Sequence, residues 1–437
     1  MYVDSTPAAA PGIPANRDRL FLAACVSLVV TSMTFAIRAG ILTELGETFG
    51  LTGPELGWVN SMAFLGFPIA MIIGGLIYNE VGPKRMLWTA FVCHLLGLVL
   101  TIFAGDLGSL SGFWGLMIST FFIGFANGAV EAACNPMVAD MYPDKKTQML
   151  NKFHVWFPGG IVIGSLITNF FGDALGWQML IATMFIPTIL YAVLIFGQEF
   201  PKSKALSGDT VENIKSLVSP LFLFIVLCMT LTATTEFSTT QWVERILGAS
   251  GASPMIVLAL VTGLMAVGRF FAGPIVHNLN PTGVLLISAV LSTLGIYLLS
   301  TLTGGAVYMA AIVFALGICY FWPTMIGFVG EYIPRTGALG MSLVGGAGMF
   351  AQVIWNPIIG GWLDEAQATA QNAGLTGAEA DMVAGQATLA TMIYFPAILI
   401  VLFAGLYFYM RGRTHDHARA DEVIQDPKAM STPGSAR

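Results

Sequence analysis

The 437-residue chain is 56% hydrophobic and only 10% charged, whereas soluble globular proteins average about 25% charged residues. Its net charge of −6 gives no support for nucleic-acid binding, which depends on a basic surface. The five cysteines all fall in apolar stretches, so they imply neither a disulfide framework nor a metal site. The composition therefore predicts an integral membrane protein.

Apolar stretches recur along the whole chain, each long enough to cross about 30 Å of hydrocarbon. Residues 1–16 are polar and rich in Pro and Ala, and the first apolar stretch is longer than a signal peptide needs, so we expect an uncleaved first span. The fold class expected is all-α, with twelve membrane-spanning helices. They cover roughly residues 19–43, 55–78, 86–104, 113–141, 151–172, 177–197, 218–246, 254–279, 283–303, 305–330, 338–362 and 387–410.

The basic residues predict the orientation of these spans. Most of the 19 Lys and Arg lie in the two tails or in the even-numbered connections, and basic residues concentrate in cytoplasmic loops. Both termini are therefore expected in the cytoplasm, and the protein in the cell inner (plasma) membrane.

An internal repeat groups the spans into two halves. Residues 75–87, after the second span, align without gaps with residues 273–285, after the eighth. Two such halves are related by an axis along the membrane normal, with a binding site between them near the midplane. The predicted units are a cytoplasmic tail (1–18), a six-helix half (19–198), a cytoplasmic linker (199–217), a second six-helix half (218–410) and a cytoplasmic tail (411–437).

Residues 75–85 resemble the signature loop of the major facilitator superfamily, Gly-x-x-x-Asp-Arg-x-Gly-Arg-Arg. The matches are Gly75, Gly82, Lys84 and Arg85, and the departures at the Asp and Arg positions are Asn79 and Glu80. The resemblance implies a charge latch at the cytoplasmic face, weakened or rewired without the aspartate; the alternative is an ordinary basic turn. The other residues assigned to this latch are Asp140, Arg269, Glu331 and Arg335.

Two further stretches resemble the fucose–proton symporter family. Residues 131–136 (Glu-Ala-Ala-Cys-Asn-Pro) and 150–164 match at Glu131, Asn135, Pro136, Leu150, Asn151, Pro158, Gly160 and Gly164. His154 falls where that family has a sugar-binding Gln, and residues 235–242 resemble its Ala-Glu-Val-Ser stretch. The resemblance implies a secondary active transporter: a sugar or polyol:cation symporter, with the proton as the expected cation, that works by alternating access.

Two carboxylates, Glu131 and Glu236, lie well inside predicted spans, where an ionisable side chain normally faces a polar cavity or an ion path. The fucose symporter family has a helix-1 aspartate that works with the helix-4 glutamate, whereas this chain has Arg38 near that position. An arginine facing Glu131 would favour the ionised carboxylate, so Arg38 and Glu131 are the predicted ion-coupling residues. The alternatives are a structural ion pair for Glu131, a pair with Arg245 or a hydroxyl for Glu236, and a snorkelling Arg38. His94 is expected to be a packed histidine.

A sugar site needs amides or carboxylates for the hydroxyl groups and aromatic rings for the apolar ring face. For Trp242, Trp322 and Trp355, packing within the protein is as good an interpretation as contact with a ligand. The predicted substrate-binding residues are His154, Asn135, Glu236, Gln241, Trp242, Trp322, Gln352, Trp355 and Asn356.

The sequence carries no zinc-peptidase, P-loop or nucleophile-elbow motif, so we expect neither an enzyme nor a bound cofactor or metal. A driving cation, H⁺ or Na⁺, would supply the energy. The expected partners are a small sugar-like substrate and the lipid bilayer, with no nucleic acid, and the protein is expected to be a monomer. The alternatives are an exporter or antiporter of drugs or metabolites, a sodium-coupled or facilitative carrier, and a receptor or scaffold that keeps a transporter fold.

Overall fold

The computed structural model describes residues 14–110, 112–142, 146–201, 217–333 and 336–411, and within these ranges the chain is helical with no β-strand. Most of the predicted linker, the C-terminal tail and Arg335 lie outside the described residues, as do the side chains of Asn79 and Glu331.

Among its described residues, the first half contains seven helices, and two 3₁₀ turns, Ala104–Asp106 and Gly108–Leu110, follow the third of them. The helices are α1 (Arg17–Gly40), α2 (Leu42–Phe49), α3 (Gly53–Ile102), α4 (Phe113–Met141), α5 (Lys146–His154), α6 (Trp156–Thr183) and α7 (Phe185–Ile195).

The described part of the second half contains nine helices and follows the linker. They are α8 (Pro220–Gln241), α9 (Val243–Leu247), α10 (Pro254–Phe270), α11 (Ala272–Thr301), α12 (Ala306–Ile318), α13 (Phe321–Tyr332), α14 (Gly337–Asn372), α15 (Gly377–Met392) and α16 (Tyr394–Met410).

Local sequence explains where several of these helices begin. The side chain of Thr52 accepts a hydrogen bond from the backbone N–H of Glu55, and the Glu55 carboxylate accepts one from the backbone N–H of Thr52. This reciprocal capping box satisfies backbone donors that a first helical turn leaves free. Helices α8 and α10 each begin with a Ser–Pro pair, in which the serine accepts a hydrogen bond from the N–H three residues later. Proline fits the next position because it has no N–H to satisfy.

The aligned repeat positions share one backbone bend. Helix α3 bends at Gly82 (φ 75°, ψ 159°) and helix α11 bends at Asn280 (φ 52°, ψ 160°). Asn280 is the only non-glycine residue with positive φ in the described chain. Its side-chain oxygen accepts hydrogen bonds from the Thr282 hydroxyl and the Gly283 N–H, a local bonding pattern that lets asparagine adopt this conformation. The repeat seen in the sequence therefore corresponds to a repeated turn in the structure.

In the part of the chain that the structure describes, ten helical segments are long and apolar enough to cross a membrane, and Pro254–Phe270 is a shorter apolar helix. One of the ten, Lys152–Ile195, covers 44 residues and contains Gly176 in the left-handed region (φ 69°). Large apolar side chains such as Leu76 (75% exposed), Ile186 (73%) and Val401 (73%) cover the outside of the bundle. A surface of this kind is stable in lipid rather than in water, so the multi-pass membrane architecture is confirmed.

The two halves meet along two main helix pairs, α3 with α14 and α6 with α10. We call the end of the bundle that carries Gly40, Gly53 and Asp364 the Gly53 end, and the end that carries Gly82 and Asn280 the Gly82 end. Small residues allow close backbone contact where α3 meets α14: the α-carbon of Gly53 faces the backbone of Gly360, and Gly57 faces the backbone at Asn356–Pro357.

The hydrogen bonds that join described residues of the two halves lie at or near the Gly53 end. They run from Thr43 to Glu244, from the Gly53 N–H to Asp364 (2.6 Å), from Ser253 to Asn169, from Ser61 to the Val353 carbonyl (3.0 Å), and from Arg38 to Gln241 (2.8 Å). In this conformation the bundle is closed at the Gly53 end.

Candidate functional site

Arg38 lies in the last turn of α1 and is only 6% exposed. Its Nε donates to the side-chain oxygen of Asn60 on α3 and one Nη donates to that of Gln241 on α8, both at 2.8 Å. The guanidinium also lies over the rings of Phe35 (5.1 Å) and Phe64 (5.9 Å). Arg38 is therefore held by neutral groups from both halves.

The expected contact between Arg38 and Glu131 is absent from this conformation. The ion pairs among described residues are Arg17–Asp18, Arg245–Asp364 and Arg269–Glu236. Two of the guanidinium N–H groups are bonded instead to the amides of Asn60 and Gln241, which hold Arg38 between α3 and α8. Pairing of Arg38 with Glu131 in another conformation stays a prediction, as do the ion-coupling roles of both residues.

Glu131, which is 6% exposed, has a polar neighbour on its own helix. The Asn135 amide donates to a Glu131 carboxylate oxygen (2.7 Å), and the Asn135 oxygen lies 2.9 Å from Nε2 of His154. Asn135 is half-buried and His154 is exposed. The three side chains thus form one hydrogen-bonded series from a buried carboxylate towards the Gly82 end.

Buried Glu236 and half-buried Arg269 form the second charged group. Their charged atoms are 4.0 Å apart, and Nε of Arg269 also donates to the Cys319 carbonyl (3.0 Å). This pair was not predicted from the sequence. Arg269 was assigned to the cytoplasmic latch, and Arg245 was the arginine considered as a partner of Glu236. Arg245 lies instead 3.9 Å from Asp364 at the Gly53 end.

A cavity of about 20 Å³ lies at the junction of the halves, which is room for about one water molecule. Its lining includes Glu236, Arg269 and Gln241 from the second half and Phe35 and Phe157 from the first. A second cavity of similar volume borders Arg38 and Thr34 on the first-half side. The site therefore combines a few polar and charged side chains with a mostly apolar lining, is shared between the halves and is nearly closed in this conformation.

Buried amides surround this junction. The Trp242 indole N–H donates to the Asn356 oxygen (3.0 Å), and the Ser238 hydroxyl lies 3.2 Å from the Gln352 oxygen. The NH₂ groups of Asn60, Gln352 and Asn356 are buried and have no hydrogen-bond partner in the structure. Buried donors are almost always satisfied in proteins, so these three NH₂ groups are candidates to bind an acceptor group of a ligand.

The predicted tryptophans have different surroundings. Trp242 is fully buried. Trp322 packs edge-on against Phe237 (6.1 Å), which belongs to a central aromatic cluster with Phe35 and Phe64. Trp355 packs against Trp362 and Phe395. The central phenylalanines were not predicted as site residues, because a phenylalanine in an apolar span gives no signal beyond hydrophobicity.

His94 forms a separate buried network in the first half. Its ring nitrogens lie 3.1 Å from the Tyr191 hydroxyl and 2.8 Å from the Asn127 oxygen, and the Asn127 amide donates to Thr34 (2.9 Å). This is the arrangement of a packed, hydrogen-bonded histidine. At the Gly82 end, Lys84 and Arg85 are exposed and Asp140 is partly buried; their role in a latch stays a prediction.

The sequence profile of the Major Facilitator Superfamily matches residues 20–355. The chain belongs to the major facilitator superfamily. Its curated relatives of this kind are transporters rather than enzymes.

Curated relatives have low identity and partial coverage. The cis,cis-muconate transport protein of Acinetobacter baylyi is 24% identical over 201 residues, which is 45% of this chain and 47% of the relative. The D-xylose transporter of Levilactobacillus brevis is 26% identical over 180 residues, 40% of this chain and 38% of the relative. The chain spans about half the length of the curated relatives it matches.

Solved structures match over more of the chain. A bacterial homologue of the human lysosomal transporter Spinster has a TM-score of 0.73 at 15% identity and covers 89% of this chain and 96% of its own. A D-xylose–proton symporter has a TM-score of 0.69 at 15% identity and covers 86% and 97%. These similarities show the superfamily fold; the specific resemblance to the fucose–proton symporters stays a prediction.

Proposed function

We propose that this transporter carries a sugar or sugar-like polyol together with a cation, by alternating access between two six-helix halves. The observation that carries the proposal is the buried polar junction, where Arg38 from the first half bonds Gln241 from the second and the Glu236–Arg269 pair lines the adjoining cavity. Charged side chains are costly inside a membrane and mark substrate or ion paths. A scaffold with no transport role gains nothing from them.

The proposed topology has twelve crossings. The ten long apolar segments of the described chain supply ten crossings, and the short helix Pro254–Phe270 supplies an eleventh. The twelfth arises if the 44-residue segment Lys152–Ile195 crosses twice, with its turn at Gly176. Exposed Lys84 and Arg85 lie at the Gly82 end. The positive-inside rule assigns this end to the cytoplasmic side of the plasma membrane. The conformation described above is then closed to the outside.

Glu131 is our proposed coupling residue. Its hydrogen-bonded series through Asn135 to exposed His154 leads to the proposed cytoplasmic end, where a cation would be released. Glu236, already paired with Arg269, is the less suitable carrier, because a neighbouring guanidinium competes with a cation for the carboxylate.

Relatives support a polar substrate of sugar size. They include the D-xylose transporter above, the arabinose–proton symporter of Escherichia coli and the hexuronate transporter of Bacillus subtilis. The cis,cis-muconate relative is named for a carboxylate that is not a sugar.

A competition screen tests this function. Purified protein in detergent is heated with sugars, polyols, amphipathic drugs or lysolipids, and stabilisation by bound solute is measured, since a solute that binds only the folded state raises its stability. We expect sugars or polyols to stabilise the protein, and uptake into proteoliposomes to follow a proton gradient. Stabilisation by drugs or lysolipids alone would favour an exporter. Uptake driven by a sodium gradient at constant pH would identify Na⁺, and not the proton, as the coupling cation.

A further inference from the structure

Among the Lys and Arg side chains that the structure describes, Arg38 alone is buried. The other arginines within the bundle have carboxylate partners, Arg245 with Asp364 and Arg269 with Glu236. No described carboxylate is at ion-pair distance from Arg38. A buried charge without an opposite charge beside it carries a large desolvation cost, which an anionic ligand would offset.

The neighbours of Arg38 also have unused donors. Arginine can only donate, so the hydrogen bond from its Nε fixes the Asn60 amide with its oxygen towards Arg38 and leaves the Asn60 NH₂ unpaired. The Trp242 indole N–H, also a pure donor, fixes Asn356 in the same way. The amide orientations therefore follow from their partners, and the surplus of donors is a property of the site.

These donors belong to two hydrogen-bonded sets that neighbouring residues of α8 and its C-terminal end bring together. Arg38 bonds both Asn60 and Gln241, and the residue after Gln241 is Trp242, which bonds Asn356. Gln241 also lines the cavity at the junction of the halves. A cation with surplus N–H groups, at the seam where a substrate would lie, is suited to an anionic group with several acceptors.

We propose that the transported sugar carries a carboxylate and that Arg38 binds it. Carboxylate and guanidinium match in planar, two-point geometry, and the Asn60 NH₂ is next to the same guanidinium. Binding would replace the Arg38–Gln241 bond, which joins the halves, so it would also loosen the closure near the Gly53 end. This inference rests on the proposed function and names its substrate class as sugar acids rather than neutral sugars.

The test compares matched probes on purified full-length protein. D-glucuronate and D-galacturonate are compared with D-glucose, D-galactose and the uncharged amide D-glucuronamide, in detergent binding and in proteoliposome uptake. Benzoate serves as a carboxylate without hydroxyl groups. We expect a sugar acid to bind at least tenfold more tightly than its neutral counterparts. Arg38→Gln should weaken acid binding by roughly 30-fold or more and remove the discrimination between acid and amide, and Arg38→Lys should restore part of it.

Asn60→Asp is the second variant, because it places a carboxylate of the same shape beside Arg38. We expect it to raise thermal stability and to abolish binding of the sugar acids, since the internal carboxylate competes for the guanidinium. Higher stability with unchanged preference for the acid would show that Arg38 is structural and overturn the inference.

The probes separate this inference from the function on which it rests. Preference for glucose, galactose or the amide over the acids would overturn the anionic substrate and leave sugar transport intact. Binding of benzoate alone would keep Arg38 as the anion site and overturn sugar transport. Absence of binding and uptake for every probe would overturn both.

Discussion

Replacement of Gly360 by alanine should open the Gly53 end. An added β-carbon at Gly360 would come closer than 3.0 Å to the carbonyl group of Gly53 and the nitrogen of Pro54. These are backbone atoms, which cannot rotate away, so α3 and α14 would have to separate by more than ~1 Å to restore an ordinary contact of about 3.5 Å. That movement would also lengthen the bond between the Gly53 N–H and Asp364.

The adjacent Gly361 provides a matched control. Its β-carbon would lie 3.8 Å from Cγ of Pro54, an ordinary contact, and both substitutions gain the same helix propensity of about 1 kcal/mol. Overpacking typically costs 1–3 kcal/mol, which corresponds to a roughly 5- to 150-fold change in the ratio of the two conformations. We expect this shift for Gly360→Ala and little change for Gly361→Ala.

Pulsed electron paramagnetic resonance measures the shift directly. Spin labels at Glu47 and Ala368, both exposed at the Gly53 end on opposite halves, are introduced after replacement of the five native cysteines. Gly360→Ala should move the distance distribution towards longer values. Identical distributions for Gly360→Ala and the unsubstituted protein, or equal shifts for Gly360→Ala and Gly361→Ala, would refute the close approach of α3 and α14.

Two further substitutions test neighbouring parts of the structure. Asp364→Asn weakens the partly exposed pair with Arg245 and the bond to the Gly53 N–H, so we expect a shift in the same direction of about 0.5–1 kcal/mol, measured with the same labels; no response would exclude Asp364 from the closure. His94→Ala removes the ring partner of the Tyr191 hydroxyl and of the Asn127 amide oxygen, so thermal unfolding, followed by a dye that reacts with unmasked buried thiols, should show a loss of about 2–4 kcal/mol. Val92→Ala, at an exposed position on the outside of the bundle, is its control. Equal losses of stability for the two variants would show that the His94 hydrogen bonds do not stabilise the fold.

Features that depend on composition and spacing could be predicted from the sequence. Apolar length revealed the membrane helices, and the aligned residues 75–87 and 273–285 anticipated the matching bends at Gly82 and Asn280. The burial of Glu131 and Glu236 also followed from their position in apolar stretches.

Partners across helices could not be predicted in the same way. Arg38 was expected to face Glu131 but bonds Asn60 and Gln241, and Arg269 pairs with Glu236. Such pairing depends on helix rotation and on how closely the halves approach, which a span's hydrophobicity does not encode. Surplus donors such as the Asn356 NH₂ emerge only when every neighbour is in place.

The coupling role of Glu131 is tested most directly in proteoliposomes. Uphill accumulation of substrate and exchange of substrate at equilibrium are measured for the unsubstituted protein and for Glu131→Gln. Glutamine keeps the shape of Glu131 and can still hydrogen-bond Asn135, but it cannot cycle charge. We expect an imposed proton gradient to drive substrate accumulation by the unsubstituted protein. We expect Glu131→Gln to abolish this accumulation and to retain substrate exchange. Full accumulation by Glu131→Gln, or equal loss of accumulation and exchange, would contradict the coupling role of Glu131.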